Sequence, residues 1–211
     1  MATSIPAALP LDPELQALPE PRRPFRRATL VILAATAICA AGMAWALVGD
    51  ARFSLESGPP RELGTLTHVQ LGPTVENTWV HVTGALMDQA AEYRRPLDSD
   101  RFRLTRVEGS PRLFVELRVP SGIPEEHYVA PNSFVGRLVP LARAGIRYDA
   151  VEEAATVALG APAPPDAWLL IDGETPGTTR WAIGLIGLFL SFAIFSIWGI
   201  VRLRRHFAVE P

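Results

Sequence analysis

Two uncharged apolar runs, 28–48 and 181–201, bracket a stretch in which apolar and polar residues alternate with the period of β-strands. Each run is 21 residues long. A helix rises about 1.5 Å per residue and a hydrocarbon core is about 30 Å thick, so each run has the length of a membrane span. The pattern predicts two transmembrane helices around a separate domain at 49–180.

Within that domain, residues 65–71 alternate, and 78–84 is rich in β-branched and aromatic residues, as strands prefer. The strongest local signal is a hairpin: 101–107 and 112–119 alternate around Glu108-Gly109-Ser110-Pro111. A four-residue loop would set Phe102 opposite Leu117, Leu104 opposite Val115, and Arg103 opposite Glu116. The last would be an outward ion pair worth about 0.2–1 kcal/mol. A further strand is predicted at 133–141 and a final one at 167–171. Between them, 149–159 fits a short helix with Asp149 and Glu152 as a capping box and Gly160 just past its end. Its apolar stripe is Val151, Ala154, Ala155, Ala158 and Leu159. Five or six strands and one short helix describe a mainly antiparallel α+β domain, either an OB-like open barrel or a small sheet with a helix on one face.

Charge gives this plan a direction. Arg22, Arg23, Arg26 and Arg27 precede the first run, and Arg202, Arg204 and Arg205 follow the second. Positive charge stays on the cytoplasmic side, so both termini are expected in the cytoplasm and the domain outside it, at the inner (cytoplasmic) membrane. Trp45, Trp181 and Trp198 fall at the ends of the runs, where amphipathic rings favour the interface. The first run exceeds the roughly 7–15 residues of a cleaved leader and reads as an uncleaved signal anchor. Residues 1–27 are expected to form a disordered, Pro- and Ala-rich tail with a basic flank, and 202–211 a short basic tail.

The stretch 49–180 holds 18 acidic residues against 13 arginines, which disfavours nucleic acid as a partner. Every basic residue is Arg, so Schiff-base chemistry on lysine is excluded. The sole cysteine, Cys39, lies in the first run, which removes intrachain disulfides and Cys-based zinc sites. Neither run carries an ionisable residue or a proline, so transport through them is disfavoured. Ala37, Ala41 and Ala44, and Gly184, Gly187 and Ser191, are small residues at helix-packing intervals.

Candidate chemistry is sparse. His68 and His81, with a carboxylate from the acidic loop Glu125-Glu126-His127, are residue types that could hold zinc or copper, but their spacing matches no ligand motif. Ser99, Ser110, Ser121 and Ser133 are nucleophile candidates outside any Gly-x-Ser-x-Gly. Phosphate-cradling glycine motifs are absent from the sequence. Arg101, Arg103, Arg112 and Arg118 read as one outward basic stripe on the hairpin. No catalytic, cofactor-binding or metal residue is assigned.

The plan of span, outward β domain and returning span, with Trp79-Val80-His81-Val82-Thr83-Gly84 before the hairpin and Arg180-Trp181-Ala182 opening the second span, is similar to that of the surfeit-type assembly factors for haem-copper oxidases. The chain departs from that pattern in its short domain and in lacking Gly-x-Trp after the first span, and no functional residue is carried over. The expectation is a non-catalytic two-pass membrane protein whose domain contacts other integral membrane proteins, as an assembly or accessory subunit. The alternative is an envelope enzyme or metal-binding domain using His68, His81 and the loop around His127.

Overall fold

In the computed structural model, which describes residues 26–95, 100–120, 129–144, 149–160 and 162–205, seven strands form one mixed sheet. They are β1 (Arg61–Thr65), β2 (Thr78–Thr83), β3 (Leu86–Arg94), β4 (Arg101–Val107), β5 (Leu113–Val119), β6 (Ser133–Pro140) and β7 (Trp168–Asp172), in the order β1-β2-β6-β7-β5-β4-β3. β1 pairs with β2, and β5 with β7, in parallel; the other four neighbouring pairs are antiparallel. The fold is α+β, as expected, with a sheet more mixed than the sequence suggested. Its order is linear, with β1 and β3 as the two edges, and not a closed barrel. Four helices accompany it: α1 (Arg26–Ala46), α2 (Val48–Ser54), α3 (Asp149–Leu159) and α4 (Trp181–Arg205).

Both faces of the sheet are packed. On one face Val151, Ala154 and Ala155 of α3 meet Leu104, Phe114, Val139 and Leu169. Small alanines let this helix lie close to the strands, and Gly160 ends it at φ 65°, as its place in the sequence predicts. On the other face Val80, Val82, Val115, Leu117, Phe134 and Leu138 form a second core, closed by Leu66 and Val75. Two-sided burial explains why β5 reads almost without polar interruption.

Three elements differ from the sequence pattern. The strand expected at 65–71 ends at Thr65. A bulge at Glu62/Gly64, with Gly64 at φ 76°, turns the chain into a 3-10 turn, Leu66–His68, that drives Leu66 into the second core. β3 and α2 were not anticipated. In the hairpin, Leu104 stands opposite Glu116 and Phe102 opposite Arg118, one residue away from the expected register. Because side chains alternate, that single step moves Glu116 from the solvent side into the helix-covered face. It also splits the expected basic stripe. Arg118 now shares a face with Phe102, while Arg103 lies on the other beside Leu117.

Residues 27–46 and 176–204 are long and apolar enough to cross a membrane. The two helices pack against each other with Ala40, Ala44, Ala182, Ala193 and Ser196 buried. A Cβ added at Gly199, near the end of α4, would lie 3.3 Å from Leu33 Cδ1 near the start of α1, so the pair runs antiparallel. Their outer surfaces display Val31, Ile32, Ile38, Phe192, Ile194, Phe195 and Ile197.

Candidate functional site

The registers of five strand pairs line up one transverse row on the helix-covered face: Trp79, Arg137, Ile171, Glu116, Leu104, Ala91. Two members of this row are charged and buried. A buried charge is tolerated only when paired and hydrogen-bonded. Arg137 meets that demand: its Nε donates to Asn77 Oδ1 (2.7 Å), its Nη1 donates to Asp50 Oδ1 (2.6 Å), and Glu174 Oε1 lies 3.6 Å away. Its guanidinium also covers the Phe53 ring at 4.9 Å. Asp50 and Phe53 belong to α2, which continues α1, and Glu174 precedes α4. One strand residue therefore holds the elements that lead into both apolar helices. Asn77, at φ 58°, adds a bond from Nδ2 to Gly49 O (3.0 Å).

Glu116 is different. Its Oε1 accepts a short ion pair from Arg95, whose guanidinium lies 4.2 Å over the Phe102 ring. Its Oε2 and the Tyr93 hydroxyl are both buried, and a hydrogen bond between Tyr93 and Glu116 contributes to the shifts of both groups. Burial pushes the Glu116 carboxyl above the usual range, with Arg95 opposing. Burial and then the Glu116 charge push the Tyr93 phenol far above its ordinary value. Asp172, too, is raised by burial, against the pull of the Val135 and Gly173 N–H groups.

Glu116 lines a cavity of about 300 Å³ shared with Arg118, Asp172, Glu174, Phe102 and Trp181. Arg118 Nε donates to Asp100 Oδ2 at 2.5 Å on the rim. The cavity thus lies where the sheet, the turn after β7 and the first residue of α4 meet.

The residues singled out in the sequence are dispersed. His68 is exposed in the 3-10 turn. His81, on β2, has both ring nitrogens engaged, Nδ1 with the Glu62 carboxylate (2.7 and 2.8 Å) and Nε2 with Ser133 Oγ (2.8 Å). Neither nitrogen is left open for a metal. His127, Glu125, Glu126, Ser99 and Ser121 lie outside the described residues. Among the described residues, no three His, Cys, Asp or Glu side chains converge as metal ligands. Ser110 sits in the β4–β5 turn, its N–H on Val107 O. The hairpin arginines each find a local acceptor: Arg101 with Glu92, Arg112 with Asp166, Arg118 with Asp100 and Arg103 with the Asp88 carbonyl. Glu116 and Arg137 were missed because alternation assigns charges to solvent. The available signal was a charge flanked on both sides by apolar residues, as in Leu-Phe-Val-Glu-Leu and Phe-Val-Gly-Arg-Leu-Val.

No protein family, characterised protein or solved structure matches the chain.

Proposed function

We propose that the chain is a non-catalytic two-pass membrane protein of the cytoplasmic membrane, with both termini in the cytoplasm, an uncleaved first span and an extracytoplasmic domain that contacts other integral membrane proteins. The arginines flanking the spans support this orientation. The carrying observation is the arrangement of small residues on α4. Ala182, Ala193 and Ser196 are buried, whereas Gly184 and Gly187 are exposed with nothing within 4 Å of an added Cβ. A flat apolar face with small residues permits close approach of another helix. The Arg137 bonds keep the domain seated over that face, which suits an assembly or accessory subunit.

Purification in mild detergent should recover stoichiometric membrane partners, and Gly187→Leu should release them while leaving the thermal midpoint unchanged. A clean monomer in several detergents would sink the proposal. Reporter fusions at both termini and in the 84–86 turn test the orientation.

A second reading, hydrolysis, draws on Glu62, His81 and Ser133, which are bonded in the order acid, imidazole, hydroxyl. In that order the imidazole can accept the serine proton while the carboxylate holds its other nitrogen. Glu62, on an edge strand, is 71% exposed, so water screens it. Labelling by a fluorophosphonate, lost in Ser133→Ala, would favour this reading over the first; unlabelled protein would remove it.

A further inference from the structure

Arg137 uses only part of its guanidinium to fasten the fold. Nε and Nη1 are taken by Asn77 and Asp50, whereas Nη2 makes no hydrogen bond among the described residues. The side chain is 5% exposed and lines a second cavity, of about 430 Å³, with Arg52, Arg143, Glu76, Asn77 and Gly49. Nη2 is not sealed inside the protein, so its two N–H groups are available on the cavity side. A Cβ built at Gly49 would lie 3.8 Å from Nη2, so the missing side chain keeps this approach clear. Because Asn77, Asp50 and the Phe53 ring already fix the guanidinium, a ligand docking on Nη2 orders nothing further there.

Two more guanidinium groups border the same space. Arg52 is exposed and makes no ion pair among the described residues. Arg143, also exposed, gives Nη1 to Glu76 Oε1 (2.6 Å) and retains its other donors. Glu76 is the carboxylate of the lining, and it is engaged by Arg143; Asp50 and Glu174 face Arg137 Nη1 from outside the lining. The acceptors at this junction are thus occupied, and the open groups are cationic donors, which call for an anion.

Several guanidinium groups around one space suit a group whose oxygens can accept from separate arginines at once, as the tetrahedral oxygens of phosphate do. We infer that this cavity binds a phosphate group, with Arg137 Nη2 as its fixed donor and Arg52 and Arg143 flanking it. Gly49 and Arg52 belong to α2, which follows α1 after the single residue Leu47, so the cavity stands level with the end of an apolar helix. That position puts the headgroup phosphates of the adjacent leaflet within reach, with phosphate from solution as the other source. The lipid source rests on the reading of α1 and α4 as membrane spans; the phosphate site itself does not.

The test uses the full chain in nonionic detergent micelles at constant ionic strength, with the thermal midpoint of tryptophan fluorescence as the readout. The probes are phosphatidylglycerol, phosphatidylcholine, inorganic phosphate and acetate. Phosphatidylglycerol should raise the midpoint by roughly 2–4 °C, because a ligand that binds only the folded state stabilises it. Phosphatidylcholine should do less, since its ammonium is repelled by the flanking guanidinium groups. A shift that inorganic phosphate does not reproduce supports the site and assigns a lipid headgroup to it; an equal shift from inorganic phosphate supports the site and assigns phosphate from solution. No shift from either probe would overturn the inference, as would an equal shift from phosphatidylcholine or from acetate. Arg52→Gln should raise the phosphate or phosphatidylglycerol concentration needed by about tenfold, the usual effect of losing one charged donor. Gly49→Leu keeps every charge but fills the space before Nη2, and should abolish the response. Arg112→Gln removes the same charge from the β4–β5 hairpin, where Arg112 pairs with Asp166, and should leave the response unchanged. An equal loss in Arg112→Gln would trace the effect to general charge attraction and sink the inference. If Gly49→Leu does not fold, the comparison of Arg52→Gln with Arg112→Gln decides alone. A chain that does not float with phosphatidylcholine vesicles would sink the membrane-span reading and the lipid source, while the inorganic phosphate titration still decides the site.

Discussion

Arg137 Nη1 and Asp50 Oδ1 stand 2.6 Å apart, joining the middle of β6 to the short helix that follows α1. With Glu174 and the Phe53 ring on the same guanidinium, a buried cation becomes the fastening between the sheet and the two apolar helices. Removing it strands two carboxylates in a half-dry junction. Arg137→Met should therefore cost about 3–5 kcal/mol, the usual effect of breaking a buried pair. Asp50→Asn, which keeps an oxygen acceptor, should cost less than half as much. Denaturant unfolding of both variants measures this, and an Arg137→Met protein within about 1 kcal/mol of the native chain would remove the fastening role.

Gly136, next to Arg137, is fixed by the strand beside it. A Cβ there would lie 2.0 Å from Ile171 O, a main-chain atom that cannot swing aside. Gly136→Ala should separate β6 from β7 and either abolish folding or cost more than about 3 kcal/mol. Gly177→Ala, whose Cβ would meet only Thr175 Oγ1 at 3.7 Å, is the matched control and should be close to neutral. Circular dichroism and limited proteolysis separate the two.

Asp172 gives the stability of the domain a pH-dependent component of known sign. Its carboxyl is raised above the ordinary value of 3.8, chiefly by burial. An acid with a raised folded pKa binds its proton more tightly in the folded state, so its stabilising contribution is complete below the unfolded pKa. That contribution is lost as pH rises through the folded pKa. Asp172→Asn retains the oxygen that accepts the Val135 N–H but removes the charge. Relative to the native chain, this variant should gain stability as pH is raised from about 4 to about 7, and the two curves should converge in acid. Parallel curves across that window would show that Asp172 is effectively solvated.

Elements whose apolar spacing alone determined their packing were legible. α3 and the strands β2, β4, β5, β6 and β7 fall where their patterns place them. β3 was hidden because Met-Asp-Gln-Ala-Ala-Glu lacks strand preference; as an edge strand it owes its form to pairing with β4. α2 has only seven residues, too few for a periodic signal, and is held by Phe53 and Asp50 instead. The junction site was the least legible part. Its charges are buried by elements distant in sequence, and alternation carries no information about what covers a face.

The hairpin shows the same limit in a form that energetics can test. Arg103 and Glu116 look like cross-strand partners when the loop is counted as four residues, yet they point to opposite faces in the observed register. Glu116 is instead paired with Arg95, and both side chains are buried. A double-mutant cycle on Arg103 and Glu116 should therefore give a coupling near zero, with Arg103→Ala alone costing less than about 0.5 kcal/mol. The Arg95 and Glu116 cycle should give strong coupling, because Glu116→Ala leaves a buried guanidinium behind and should cost about 3–5 kcal/mol. Coupling of about 0.2–1 kcal/mol between Arg103 and Glu116, with none at Arg95, would restore the four-residue loop and return Glu116 to solvent. The cavity that Glu116 lines would then lose its buried carboxylate, so this one measurement bears on both the register and the site.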